Sequence, residues 1–246
     1  MTESDRIAYG RAGRLRVALS TLAAEIADDA RGMVPTTNDS NVYGRGDWIE
    51  AASQLAAQAR ELVTLAALAE HRRGVSWEAI GEVLGISKQA AQQRFAPAEK
   101  ETGEALIEHW LTGGDRWDPN VPEGADRPAE AAEKLDRWSG QHGGPPARDH
   151  PVSGNLEHMT TIEHMTMVTA AASLVMDRRR AGAEAGRIRD LELGLARRKV
   201  ELYERMSLEG PGHLGGTRAE EIADLLTGAR ARLANLEATA SKDSAA

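Results

Sequence analysis

Apolar side chains recur along this chain at helical intervals and almost nowhere in strict alternation. Leu15, Leu19, Leu22 and Ile26 are spaced four, three and four apart, one stripe of an amphipathic helix predicted over 6–33. Residues 32–47 are rich in Pro, Gly, Asn and Asp and read as a plain loop, whose Tyr43 and Arg45 are candidates to fold over the domain or to touch a partner. A long helix is expected from Asp47, read as its N-cap, through Trp48, Leu55, Leu62, Leu65 and Leu68 to about His71. Arg72, Arg73 and Gly74 end it. Pro97 is expected to interrupt the pattern again before a helix resumes through Lys100, Leu106, Ile107 and Trp110.

The middle and the last third differ in texture. Residues 112–155 hold two Gly/Pro-rich stretches around a short helix near 128–139, the pattern of a linker. Trp117 and Trp138 are unusual in a tether, so either part of this segment packs back on a domain or all of it is a spacer. Beyond it, Met159, Ile162, Met165, Val168, Ala172 and Val175 form an expected stripe on a helix ending in three arginines. Ile188, Leu191, Leu195, Leu202 and Met206 form a second. A loop at 209–216 then turns the chain, and Thr217 with Glu220 has capping-box spacing ahead of Ile222, Leu225, Leu226, Ala229, Leu233 and Leu236. Two long helices joined by a short Gly/Pro loop predict an antiparallel hairpin or, with the helix before them, a three-helix unit.

The most specific pattern is WEAIGEVLGISKQAAQQRF, residues 77–95. Ser76 caps a short helix whose inner face is Ile80, Gly81 and Leu84. Gly85 follows where a sharp turn needs positive φ. Ile86 fills the angle between helices, and Ser87 stands as the next N-cap, accepting from the N–H of Gln89 or Ala90. Ala90, Ala91 and Phe95 make the inner side of the second helix, leaving Ser87, Lys88, Gln89, Gln92 and Gln93 outward with Arg94 at the flank.

This segment resembles the tri-helical helix-turn-helix family of bacterial and phage regulators, specifically over 75–96 and more loosely back to about residue 48. The resemblance implies a second helix that enters the major groove of double-stranded DNA, with Ser87, Lys88, Gln89, Gln92 and Gln93 at the recognition positions. Gln can bond adenine N6 and N7 bidentately, and Lys can reach guanine O6 and N7. Arg94, Arg72, Arg73 and the helix-capping Ser76 complete the expected DNA-binding set as phosphate neighbours. Two departures stand out. Gly81 replaces the more usual Ala, expected to loosen the first helix, and Arg94 occupies a commonly apolar place.

Composition narrows the class. The chain has 246 residues, 41% hydrophobic but only 4% aromatic, which favours closely packed helices over sheets. The fold expected is all-α: a helix-turn-helix domain over 1–111, a linker over 112–155, and a helical hairpin or three-helix unit over 156–246, a candidate for dimerisation. Arg outnumbers Lys by 25 to 5, a bias that reads as a GC-rich genome rather than as a nucleic-acid signal. Net charge is −8 and each of the three segments is net acidic, so DNA binding must rest on a local patch. Cysteine is absent, which excludes thiol chemistry and a disulfide framework. With no apolar signal core and no run of about 18 apolar residues, a cytoplasmic protein without a membrane partner is expected.

No enzyme, cofactor or metal site is expected. His158 and His164 lie six residues apart, which separates them around a helix where a shared metal wants three or four. No nucleophile elbow or phosphate loop occurs. The expected function is a dimeric transcriptional regulator reading a short operator through the helix 87–96. The alternatives are a plasmid or phage centromere-binding or maintenance protein, a helical protein-interaction module without DNA, and a sensor whose small-molecule effector nothing in the residues identifies. Dimerisation through the carboxy-terminal hairpin or through the 6–33 helix stays open.

Overall fold

The computed structural model describes residues 9–34, 44–114, 118–142, 149–156, 158–209 and 219–244, and every regular element among them is helical. They form two compact units. One comprises Arg11–Gly103 with Pro119–Glu157; the other comprises Met1–Gly10, Glu104–Asp118 and His158–Ala246. These boundaries differ from the expected segments at 111 and 155. No described helix is long and apolar enough to cross a membrane. The readings placed on Tyr43, Trp117, the 209–216 turn and Thr217 fall wholly or largely outside the described residues.

The amino-terminal unit holds α1 (Arg11–Gly32), α2 (Asp47–Arg72), α3 (Trp77–Leu84), the first part of α4 (Lys88–Thr112) and α5 (Pro128–His142). Helix α1 lies against both α2 and α5. Leu15 and Leu22 of the expected stripe are buried, while Leu19 and Ile26 are half-buried; Val17, Ala18 and Ala24 widen the buried face. The stripe on α2 is buried only in its second half, at Leu65 and Leu68, and Trp48 is exposed. Asp47 is not the N-cap of α2. Gly46 takes that place at φ 103°, and the Asp47 carboxylate instead accepts the Gly44 N–H at 2.6 Å.

The region read as a linker is largely built into this unit. A Cβ at Gly124 would stand 2.6 Å from Thr21 Oγ1, and the buried Arg14 donates to the Ala125 carbonyl at 2.9 Å. Trp138 Nε1 donates to Asp28 at 3.0 Å, so its indole serves packing rather than a tether. The Asp136 carboxylate accepts the N–H groups of Val152 and Ser153 at 2.7 and 3.2 Å, tying residues 152–153 to α5.

The carboxy-terminal unit holds the end of α4 with α6 (Thr161–Arg180), α7 (Ala185–Glu209) and α8 (Ala219–Ser244). Thr160 and Glu163 form a reciprocal capping box at the start of α6. Trp110, Met159, Leu191, Leu202 and Ile222 belong to one core, into which α7 brings Gly194 against the backbone of Leu111. Arg198, 5% exposed, donates to the Trp110 carbonyl at 2.8 Å and to both oxygens of Glu201, satisfying a terminal carbonyl of α4. Glu108 accepts from Arg178 at 2.6 Å and from Arg187. Antiparallel α7 and α8 are cross-linked by Arg197–Glu237 and Arg230–Glu204 ion pairs at 3.2 and 2.8 Å.

Two expectations in this part need correction. Pro97 does not interrupt α4, which runs unbroken for 25 residues. Pro97 and Gln93 are both exposed residues, on a side of α4 where a missing i+4 donor can be replaced by water. The buried face of α6 is also rotated from the predicted stripe. It carries His164, Met167, Val168, Ala171, Leu174 and Val175, while Ile162 and Met165 are 62% and 43% exposed.

Candidate nucleic-acid interface

The turn between α3 and α4 is specified by short-range chemistry. Ser76 Oγ accepts the Ala79 N–H at 3.2 Å and starts α3. Gly85 ends it at φ 67°, ψ 29°, a conformation that costs a side chain about 1–2 kcal/mol. The Ile86 N–H then returns to the Gly81 carbonyl at 2.9 Å. Ser87 Oγ accepts from Ala90, one of its two expected partners, at 3.2 Å and starts α4.

Gly81 does the opposite of loosening α3. A Cβ there would stand 2.7 Å from the Ile86 carbonyl oxygen and 3.3 Å from Ser87. The turn folds back over the bare Cα, and only glycine permits that approach. Ala91 and Phe95 are completely buried, so the start of α4 is held on its inner side as the apolar spacing predicts.

The outer side of the same two turns is open. Ser87, Lys88, Gln89, Gln92, Gln93 and Arg94 are all exposed, as is Ser76. The guanidinium of Arg94 lies 4.9 Å from the centre of the Phe95 ring, so the charge is directed across the buried aromatic while α4 keeps its rotation. No acidic residue occurs from Lys88 to Ala98. Elsewhere in this unit acidic residues gather at a cavity of about 290 Å³ between α1 and α5, whose lining holds Glu25, Asp28, Glu123, Asp126 and Glu130 together with Arg127 and Lys134. Burial, and then the neighbouring carboxylates beginning with Glu123, push the Glu25 carboxyl upward. Exposed Glu78 and Glu82 lie on the neighbouring α3, so the acid-free surface is that of α4 from Lys88 to Ala98.

The two arginines at the end of α2 are engaged within the protein. Arg72 donates to Glu99 at 3.0 Å with its side chain 25% exposed, whereas Arg73 pairs with Glu70 at 3.0 Å with its side chain 69% exposed. Burial, and then repulsion from Arg72, lower Arg11 to about 10 against the opposing attraction of Glu99. Glu99 also faces His71 Nε2 at 3.7 Å. The His71 ring stacks on Trp77 at 3.9 Å, and Trp77 lies parallel to Phe95 at 6.3 Å. This stack and the Glu99 cluster brace α2, α3 and α4 against one another.

The sequence reading missed Glu99 because it stopped the helix at Pro97. Extending the i+4 row of Ala91 and Phe95 by one step reaches Glu99 and by another reaches Gly103, whose added Cβ would meet Arg72 at 3.0 Å. His158 is exposed and stacks on Tyr9 at 5.5 Å, whereas His164 is fully buried, so the two histidines do not converge. Comparison with family models, with curated proteins and with solved structures finds no match.

Proposed function

We propose that this chain is a sequence-specific double-stranded DNA-binding protein, acting as a dimeric transcriptional regulator with the start of α4 in the major groove. The observation that carries the reading is the exposed, acid-free face of Lys88, Gln89, Gln92, Gln93 and Arg94 on a helix whose inner side is fully buried. Amides presented on a rigid helix suit base edges, because hydrogen bonds without a net charge discriminate by pattern rather than by attraction alone. Lys88 and Arg94 supply the phosphate contacts that set register. Ser87 and the N–H groups above it offer a helix N-terminus to a phosphate oxygen, and Ser76 offers the same at α3. Arg73 exchanges Glu70 for a phosphate without uncovering anything. Arg72 reaches a phosphate only by leaving Glu99, and its role is to hold α2 on α4.

A helix with this few base-reading side chains covers a handful of base pairs, so specificity requires two copies on half-sites about 34–36 Å apart. The test is selection of random duplexes with the full chain, followed by titration of the enriched and scrambled sequences at moderate salt. An enriched, roughly palindromic motif bound at least ~10³-fold tighter than the scrambled duplex supports the reading. Equal binding of both, vanishing together as salt rises, overturns it and leaves an interaction module. Enrichment of tandem repeats with strong cooperativity identifies a centromere-type protein instead.

A further inference from the structure

A helix that is apolar all round is normally covered all round. Helix α6 approaches this: it has no charged residue from His164 to Met176, and its exposed polar side chains there are Thr166, Thr169 and Ser173. One face enters the core of its unit through Met167, Val168, Ala171 and Val175. The other face is uncovered: Ile162, Met165 and Met176 are 62%, 43% and 54% exposed. With Thr169 and Ala172 they run three, four, three and four residues apart, a heptad-like seam about 21 Å long.

The polar residues on this face do not make it polar. Thr166, Thr169 and Ser173 turn their hydroxyls back to the carbonyls of Ile162, Met165 and Thr169 at 2.9, 2.9 and 3.3 Å. Each hydroxyl has an acceptor within its own helix, so bringing another surface against the seam strands none of these donors.

We propose that the occupant of this seam is a second copy of the chain, with the two α6 helices antiparallel about a twofold axis between Ala170 and Ala171. The order Met165, Thr169, Ala172, Met176 is large, small, small, large, and it superimposes on itself when reversed about that axis. Each methionine then meets the other methionine position, and the two small pairs let the backbones approach at the centre. A surface that matches its own reversal is what a twofold interface requires. The charges at the ends agree with this direction. Glu163 stands near the amino end, where it accepts from Thr160, and Arg179 and Arg180 stand near the carboxy end, where they pair with Glu192 and Asp177; all three remain exposed. Antiparallel pairing brings each Glu163 to the other copy's arginines, whereas parallel pairing sets like charges side by side. The interface specifies the dimer that the DNA-binding reading assumes, yet it stands on α6 alone and is measured without DNA.

The absence of native cysteine allows a direct test on the full chain. Met165→Cys and Met176→Cys chains are made separately, mixed and mildly oxidised. Efficient disulfide formation between the two different chains, with little when either is oxidised alone, is the expected result. Sedimentation should show a dimer for the unaltered chain at tens of micromolar. Thr169→Glu, which changes an exposed position and leaves the core intact, should raise the dimer dissociation constant by about 100-fold or more with unchanged helicity and melting. The proposal is overturned by a monomer in the unaltered chain, by a Thr169→Glu dimer as tight as the original, or by cross-linking of each cysteine chain to itself. Loss of the dimer without effect on half-site binding would separate this interface from the DNA-binding reading.

Discussion

Replacing glycine by alanine inside a helix ordinarily stabilises a protein by about 0.5–1 kcal/mol, because alanine loses less backbone freedom on folding. Gly81 should behave in the opposite way. Its added Cβ would lie 2.7 Å from the Ile86 carbonyl oxygen, well inside van der Waals contact. That oxygen is backbone, in a turn already held by the Ile86 to Gly81 hydrogen bond and by the left-handed Gly85. It cannot swing aside as a side chain would. Overpacking of this kind costs about 1–3 kcal/mol, so after the helix gain Gly81→Ala should destabilise by roughly 1–2 kcal/mol. Gly228, within α8, meets nothing within 4 Å, and Gly228→Ala should stabilise by the usual ~0.5–1 kcal/mol. Gly194 is the third member of the set. Its Cβ would overlap the Leu111 carbonyl and stand 3.0 Å from the Leu111 Cα, so Gly194→Ala should cost more than Gly81→Ala. Urea denaturation followed by circular dichroism ranks the three, with expected stability Gly228→Ala above the unaltered chain, then Gly81→Ala, then Gly194→Ala. If Gly81→Ala proves as stabilising as Gly228→Ala, the tight approach of the turn to α3 is refuted.

Further predictions concern single side chains. Gln92→Ala should weaken binding to a selected duplex by about 1–3 kcal/mol and relax preference at one base pair, checked by repeating the selection; an unchanged consensus removes Gln92 from base reading. Lys88→Ala should weaken selected and scrambled duplexes alike and reduce the slope of log affinity against log salt by about one. His164 is fully buried, and burial first, then Arg198 and Arg205, lower it to about 4 from 6.5. The unfolded chain therefore takes up the proton first, and stability should be complete above about pH 6.5 and fall as pH drops toward 4. The full difference is about 3 kcal/mol, and His164→Leu should flatten that part of the profile.

What the residues alone determined is local. The turn from Ser76 to Ser87 was legible because caps, a left-handed glycine and i+4 spacing act within a dozen residues. The all-helical class was legible for the same reason, since period and propensity are short-range properties. The exposure of Lys88, Gln89, Gln92 and Gln93 follows from the burial of Ala91 and Phe95 on the opposite side of one helix.

Tertiary packing decided the remainder. Whether Pro97 breaks α4 depends on whether the orphaned carbonyl of Gln93 faces water or protein, and no local rule states that. Whether Gly81 loosens or tightens a helix depends on how close the Ile86 carbonyl comes. What engages Arg72 inside the protein is Glu99, 27 positions away, and no local pattern links the two. Helix α6 is uncharged on every side from His164 to Met176, so its sequence offers more than one stripe. Only the placement of Trp110, Leu191 and Leu202 selects which stripe is buried and leaves Ile162, Met165 and Met176 outside. Periodicity reports that a helix has an apolar face; the neighbours that arrive from distant parts of the chain choose which face it is.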